Sequence, residues 1–264
     1  MQFFRYEIPL YPSPLPLALR TGIIAQTEQG YGEIAPLPGF GGDPAFGLSS
    51  AQFPFPKAFP RIPYSGLAST YEEAAKTECQ TLKLKVGSLS PREALALVTR
   101  IQENLPLKLR IDVNRKWSVS DAHHFLDALD LTNIEYVEEP LSDPRALTQF
   151  PRIPIALDET LLEEPIQDYP NIVALILKPT LLGDKMPSLL ASKKKLVFSS
   201  SFESAIGLLH IAHLQARYSP EVAVGIDTFK YFKGNFFPIP TKEGFLLDEP
   251  LPPIDRKWLV RRGV

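Results

Sequence analysis

Five stretches decide the fold: TLKLKVG (81–87), LKLRIDVN (107–114), IEYVEEP (134–140), IPIALDET (153–160) and VALILKP (173–179). Each is an apolar run of strand length with ionisable residues at or near its end. Working outward, IPYSGL (62–67) precedes them, and KLVFSSS (195–201) and VAVGID (222–227) follow, giving eight strand candidates. Segments 70–79, 91–104, 118–129, 144–149, 162–168, 184–192 and 204–216 read as helices. Ser90-Pro91-Arg92-Glu93 is a strong helix start, with a serine cap, a proline at the first helical position and an acidic first turn. Strands alternating with helices imply βαβ units and a parallel sheet. Eight on this short repeat fit a (β/α)8 barrel that lacks its last helix. A doubly wound open sheet is the alternative, but no G-x-G-x-x-G or G-x-x-x-x-G-K-[ST] follows any strand.

Side chains alternate along a strand, so parity sorts these residues into two faces. Leu82, Leu84, Val86, Leu109, Ile111, Val113, Val137, Ile155, Leu157, Leu175 and Leu177 share the aliphatic face that suits packing against outer helices. The other face carries Lys83, Lys85, Arg110, Asp112, Asn114, Glu138, Asp158 and Lys178. These are expected around one cavity at the C-terminal ends of the strands, where barrel active sites are built. Buried charges persist only when paired or metal-bound. Three carboxylates from consecutive strands make an oxygen cage suited to Mg²⁺. A salt-bridge network closing the barrel, or charges leaving strand ends into solvent, would explain any one of them. The ordered set Lys, Asp, Glu, Asp, Lys on five successive strands favours chemistry.

The flanks differ from this middle. Of 27 prolines in 264 residues, eleven lie between Pro9 and Pro63 and five between Pro238 and Pro253. Proline fixes φ and removes a donor, so turns and short edge strands are expected there. Phe40, Phe46, Phe53, Phe55 and Phe59 accompany the prolines and argue for packed loops over disorder. A net charge of -2, with 28 Lys+Arg against 30 Asp+Glu and no basic block, gives no support to a nucleic-acid or membrane-surface role. Cys79 is the one cysteine, which excludes an internal disulfide and suits a reducing compartment. No apolar run has transmembrane length, and MQFFRYEIPLYPSP lacks a signal-peptide layout. A soluble cytoplasmic protein with a small-molecule carboxylate substrate and no obligatory protein partner is expected. His210 and His213 could pair on a metal but read as packing residues, and His123-His124 as solvated. Lys193-Lys194-Lys195 reads as an exposed loop, Cys79 as inert on a helix, and Trp117 and Trp258 as packing.

The same residues carry a resemblance. LKLKVG, RIDVNRKW, VEEP, ALDET and LKPTLLG resemble the K-x-K, D-x-N, E-[EQ]-P, [AL]-D-E and K-P-x-x-x-G signatures of the enolase superfamily, muconate-lactonising subgroup. GYGEIAPLPGF (30–40), FSSSFESAIG (198–207) and GIDT (225–228) are similar to runs of its o-succinylbenzoate synthase family. The resemblance spans nearly the whole chain, in family order. It implies an α/β fold: a modified TIM barrel, (β/α)7β, over 61–228, with an N-terminal α+β capping domain of 1–60 completed by the tail 229–264. It implies Asp112, Glu138 and Asp158 as Mg²⁺ ligands, with Mn²⁺ as a substitute. Lys85 becomes general base and acid, and Lys178 the lysine on the opposite face of the substrate. Lys83, Asn114 and Arg110 become electrostatic partners. Positive neighbours would disfavour the protonated form of Lys85. Ser199 and Ser201 would face a succinyl carboxylate, and Arg20, with Leu19, Thr21 and Gly22, would sit on a flexible cap loop. The implied activity is Mg²⁺-dependent dehydration of 2-succinyl-6-hydroxy-2,4-cyclohexadiene-1-carboxylate to o-succinylbenzoate in menaquinone or phylloquinone biosynthesis. An N-succinylamino acid racemase or dipeptide epimerase on the same site is the near rival, and a non-catalytic binding barrel the distant one. The chain is short for the family, with the deficit expected in the cap and in short helices.

Overall fold

Proline and aromatic residues alternate with short β-prone runs at the N-terminus, and these runs pair antiparallel. The computed structural model describes residues 1–13, 17–163 and 169–260. Strands β1 (Gln2–Pro9), β2 (Leu19–Gln26) and β3 (Tyr31–Ile34) form a sheet whose far edge is the C-terminal strand Leu259–Val260, paired antiparallel to Arg5 and Tyr6 of β1. The tail therefore returns to the N-terminal sheet. Leu19, Arg20, Thr21 and Gly22 belong to β2, not to a cap loop, because all four are in register with β1 from Pro9 to Tyr6. In the proline-rich stretch, where turns were expected, a helix forms at Ala45–Ser50. Asp43 Oδ1 accepts the amide of Ala45 and Pro44 stands at its start, where a missing N–H costs nothing.

The middle of the chain folds as its alternation demands. Strands β4 (Ser65–Ala68), β5 (Thr81–Lys85), β6 (Lys108–Asp112), β7 (Ile134–Glu138), β8 (Ile155–Leu157), β9 (Ile172–Leu177) and β10 (Lys195–Phe198) pair in parallel, in sequence order. The expected eighth strand, 222–227, is not a strand. It is reduced to two bridges, Tyr64 to Val224 and Ser199 to Gly225. These still close the ring: Ser65 N and Val224 N bond to Val224 O and Pro63 O on one side, and Gly225 N to Phe198 O on the other. Gly225 is required by this crowding, since a Cβ there would lie 2.7 Å from Ser199 Oγ.

Parity sorts the barrel as expected. Tyr136, Ala156, Ala174, Ile176, Val197 and Val222 pack against one another in the interior. Leu82, Leu84, Leu109, Ile111, Val137, Ile155, Leu157, Leu175 and Leu177 join the larger outer core, together with Val98 and Ile101 of helix Pro91–Asn104 and Leu208 and Ile211 of helix Ala205–Tyr218. The Ser90 capping box is present, and Ser118 with Asp121 makes a second one for helix Val119–Leu126.

Other helices are shorter than expected. The 70–79 candidate is one turn, Tyr71–Ala74, after which Lys76 N and Thr77 N bond three residues back and tighten the chain. Cys79 is therefore beyond the helix, although buried and free as expected. Segment 144–149 is a 3-10 helix, and 184–192 becomes a 3-10 turn plus helix Met186–Leu190. Helix Thr160–Glu163 covers the start of the 162–168 candidate, whose residues 164–168 lie outside the described residues. His210 Nε2 and His213 Nε2 sit 2.8 Å and 2.9 Å from the carbonyls of Tyr31 and Ala58, packing the last helix against the N-terminal segment. Lys195 is not loop but the first residue of β10, 2.6 Å from Glu135. No helix among the described residues is long and apolar enough to cross a membrane.

Candidate active site

Parallel register puts the charged strand ends side by side. Lys85, Asp112 and Glu138 end β5, β6 and β7, and they are consecutive Cα partners across the ladder. Asp158, Lys178 and Ser199 each lie one residue beyond β8, β9 and β10. In a ring of eight positions, β5 and β9 are four steps apart, so Lys85 and Lys178 stand on opposite walls. The carboxylates of the three intervening strands lie between them. All but Glu138, which is fully buried against Lys83, line one cavity of about 180 Å³, with Lys83, Asn114, Glu159 and the 199–202 turn, and with Leu37 and Phe40 reaching over from the N-terminal segment.

The charges are tightly interlaced. Lys83 Nζ lies 2.6 Å from Glu138 Oε1 and 3.0 Å from Asp112 Oδ2. Lys85 Nζ lies 3.0 Å from the same Asp112 oxygen and donates to Asn114 Oδ1 at 2.9 Å. Lys178 pairs with Asp158. Burial alone would lower the pKa of Lys83, but Asp112, Glu138 and Asp158 together raise it well above the usual lysine value. Burial likewise works against Lys178, and Asp158 and Glu159 raise it. Asp112 is held below the usual carboxylate range despite its burial, because Lys83 and Lys85 both face it. Glu138 is pushed the other way by burial, with Lys83 only partly compensating.

The donor set suits a hard divalent cation. Four carboxylates (Asp112, Glu138, Asp158, Glu159) face three lysines, and buried Glu138 Oε2 and Glu159 Oε2 have no hydrogen-bond partner. Among the described residues no three such donors already converge on one point, because a lysine holds each of Asp112, Glu138 and Asp158. Bringing the three together requires the lysines to yield.

Strained backbone and a buried carboxylate fix these strand ends. Asn114, Arg115, Glu139 and Phe202, in the loops that follow strands of the mouth, have positive φ of 50°, 59°, 42° and 62°. At Glu139 this turn sends the side chain away from the cavity and toward β8. There its carboxylate accepts Asp158 N at 2.7 Å, Thr160 N at 2.9 Å and Thr160 Oγ1 at 2.8 Å. Burial raises its pKa to about 7 against those hydrogen bonds. Adjacent glutamates thus divide the work: Glu138 turns inward to Lys83, and Glu139 holds the loop carrying Asp158. Neither Glu139 nor Glu159 was singled out from sequence. Parity assigns both to the outer face, but it stops applying once the strand ends. The motif ALDET already contained Glu159 beside Asp158.

Two candidates do not join the mouth. Arg110 faces inward, as its parity requires, but turns toward the N-terminal end of the barrel. Its Nε donates to Glu135 at 2.7 Å and its Nη1 to Ala223 O at 2.8 Å, while its guanidinium lies 5.3 Å from the centre of the Tyr136 ring. Above it, Lys83 already occupies the carboxylates. Arg20 is buried and spends all five N–H donors on backbone carbonyls, those of Thr21, Ala35, Pro36, Ser201 and Phe202. It fastens β2 to the mouth and has no donor left for a ligand. Ser199 and Ser201 do line the cavity; Ser199 Oγ donates to Gly225 O at 3.3 Å, whereas buried Ser201 Oγ has no partner.

Comparisons with known proteins agree with this geometry. Residues 66–168 match the family described as enolase C-terminal domain-like. An o-succinylbenzoate synthase of Enterobacter sp. (strain 638) is 30% identical, over 86% of this chain and 90% of that one. An o-succinylbenzoate synthase of Yersinia pseudotuberculosis serotype IB (strain PB1/+) is 28% identical over 97% and 96%. Among solved structures, the o-succinylbenzoate synthase of Thermosynechococcus elongatus BP-1, complexed with Mg in its active site, superposes with a TM-score of 0.72 at 27% identity, covering 89% of this chain and 94% of that one. A substrate-liganded L-Ala-D/L-Glu epimerase of Bacillus subtilis shares the fold at 17% identity and a TM-score of 0.72. With this similarity, a parallel barrel and a charged mouth in family order, the chain belongs to the o-succinylbenzoate synthase family of the enolase superfamily and is an enzyme of the carbon-oxygen lyase class.

Proposed function

We propose that this enzyme dehydrates 2-succinyl-6-hydroxy-2,4-cyclohexadiene-1-carboxylate to o-succinylbenzoate, as a cytoplasmic step of menaquinone or phylloquinone biosynthesis. One observation carries the reading. Two lysines, Lys85 and Lys178, face each other across the barrel with the carboxylates of three intervening strands between them. That arrangement suits proton removal next to a carboxylate, because opposed cations can address both faces of the resulting planar ene-diolate.

In this reading Lys85 is the base. It takes the proton from the carbon bearing the carboxylate, and that C–H electron pair spreads onto the carboxylate as an ene-diolate before it forms the new ring double bond. The 6-hydroxyl then leaves with a proton returned by Lys85, so one water departs and the ring becomes aromatic. Asp112 and Asn114 aim the Lys85 amine at 3.0 Å and 2.9 Å. Lys178 remains charged beside Asp158 and stabilises the opposite face. Lys83 stays protonated between Asp112 and Glu138 and limits repulsion among the carboxylates. Asp112, Glu138 and Asp158 would hold Mg²⁺, which when bound supplies Lewis-acid stabilisation of the charge gathering on the substrate carboxylate. Ser201, its hydroxyl unsatisfied, and Ser199 would receive the succinyl carboxylate. The division into a capping unit of 1–60 with 229–264 and a barrel of 61–228 belongs to the same proposal.

The test is conversion of the cyclohexadiene by the purified chain, followed by the absorbance of the aromatic product, with Mg²⁺ and with a chelator. Metal-dependent product formation is the expected result. Exchange of an amino-acid α-proton in D₂O without dehydration would move the assignment to a racemase or epimerase. No turnover of either kind, with or without metal, would return the chain to a binding role.

A further inference from the structure

A second charged cluster occupies the opposite end of the barrel. It begins with a β-bulge. Leu109 pairs with Ile134 and Arg110 with Tyr136, so Glu135 is the extra residue on β7. Bulges re-aim side chains, and Glu135 is drawn between two cations: Arg110 Nε at 2.7 Å and Lys195 Nζ at 2.6 Å. Glu135 is held below the usual carboxylate range despite burial, by Arg110 and Lys195.

The cluster lines a groove of about 620 Å³, against about 180 Å³ at the mouth. Arg61, Lys108, Arg110 and Lys195 face it with two carboxylates, Glu135 and Glu221. Two positive charges are left over. Glu135 is already committed to Arg110 and Lys195, and Lys108 makes no ion pair with any described residue. Arg110 is 1% exposed, and its Nη2 has no hydrogen-bond partner. An unsatisfied charged donor at such depth is costly, and an oxyanion is the acceptor it lacks. Arg61, stacked 5.7 Å from the centre of the Phe245 ring, gives the groove a wall that is both apolar and cationic.

We propose that this groove is a binding site for a phosphate dianion, free or as a small monoester, seated on Arg110 with Lys108 and Arg61 at its rim. The excess of two positive charges matches a dianion better than a monocarboxylate. The site lies at the far end of the barrel from the proposed chemistry and stands whether or not that function holds.

The experiment titrates the full chain with inorganic phosphate and, separately, phenyl phosphate at constant ionic strength, reading calorimetric heat and the shift in Tm. Replacing Arg110 would break its buried pair with Glu135, so the variant is Arg61→Ala with Lys108→Glu, both at exposed positions that leave the interior intact. Saturable one-site binding is expected, weakened about tenfold or more in the double variant and unchanged in Lys178→Ala. Tighter phenyl phosphate identifies a monoester as the ligand class, and equal affinity free phosphate; either supports the site. Three results would overturn it: no saturable binding, full binding by the double variant, or loss of binding in Lys178→Ala, which would place phosphate at the mouth.

Discussion

The two ends of this barrel both bury charge, and they are unsatisfied in opposite senses. At the mouth the buried charged atoms left without a partner are acceptors, Glu138 Oε2 and Glu159 Oε2; at the base the one left is a donor, Arg110 Nη2. The boundary falls within a single layer. Lys83 and Arg110 are Cα partners on adjacent strands, yet Lys83 reaches up to Asp112 and Glu138, and Arg110 reaches down to Glu135. An acceptor surplus suits a cation and a donor surplus suits an anion. The same inward face of one sheet therefore carries two different chemistries, separated by the apolar layer of Tyr136, Ala156, Ala174, Ile176, Val197 and Val222. Mutations should separate the ends cleanly: at the mouth they should cost rate, and at the base stability.

The largest effect is expected from Lys85→Ala. Loss of a general base lowers kcat by roughly 10²–10⁴-fold. Stability should hold, because Asp112 keeps Lys83 as its partner. Steady-state dehydration and a thermal melt on one preparation check both halves, and a near-normal rate would remove Lys85 from the chemistry. Arg110→Met should do the reverse. It breaks a buried pair and leaves Glu135 with Lys195 alone, at about 3 kcal/mol, read by urea unfolding. Its rate per folded molecule should match the parent. A lost rate with intact stability would put Arg110 back at the mouth and erase the division.

Between these in depth, and smaller in reach, is His210, which is half-buried and packs as a neutral group that needs no counter-charge. Loss of solvent and the neighbouring His213 lower its pKa to about 4, against an ordinary 6.5, although the Tyr31 carbonyl pulls the other way. The unfolded chain then binds the proton across that interval and the folded chain does not. Stability should therefore fall as pH drops from about 6.5 to about 4, by at most ~3 kcal/mol. Chemical denaturation at several pH values should show this slope in the parent and a flatter one in His210→Gln. An equal slope in both would mean that the imidazole is solvated.

How much of this could be read from sequence depends on where strand geometry ends. Alternation is a property of extended backbone, so it sorted Lys83, Lys85, Asp112, Glu138, Asp158 and Lys178 inward and the aliphatic residues outward. It placed Arg110 inward too, but parity says nothing about which way along the barrel a long side chain bends. That choice was made by Lys83, already seated between the upper carboxylates, and by Glu135, offered from below by a bulge invisible in the residue pattern. Beyond the strand ends, positive φ at Asn114, Glu139 and Phe202 breaks the alternation, so Glu139 and Glu159 were passed over. Arg20 failed for a different reason. The resemblance put it on a flexible cap loop, whereas its five carbonyl partners come from segments far apart in sequence, as distant as Phe202. The eighth strand was legible as a position in the ring and not as a strand, since Val224 and Gly225 make only one bridge each to their neighbours.

The smallest predicted effect separates two neighbouring serines. Ser200 Oγ is 2.6 Å from Thr228 Oγ1 and accepts Phe202 N at 2.9 Å, so its hydroxyl is committed to the fold. Ser201 Oγ, equally buried, has no partner and faces the mouth cavity. Ser200→Ala should cost about 1 kcal/mol of stability with little change in KM. Ser201→Ala should leave stability within about 0.5 kcal/mol, because it removes a polar atom that gains nothing from the folded chain. If that hydroxyl binds the substrate, KM should rise about fivefold, the equivalent of one neutral hydrogen bond, with kcat unchanged. A Ser201→Ala variant that is destabilised like Ser200→Ala, with normal KM, would show that the mouth holds no unsatisfied donor for a carboxylate. The mouth would then be short of donors only, and its contrast with the base, carried by Glu138, Glu159 and Arg110, would sharpen.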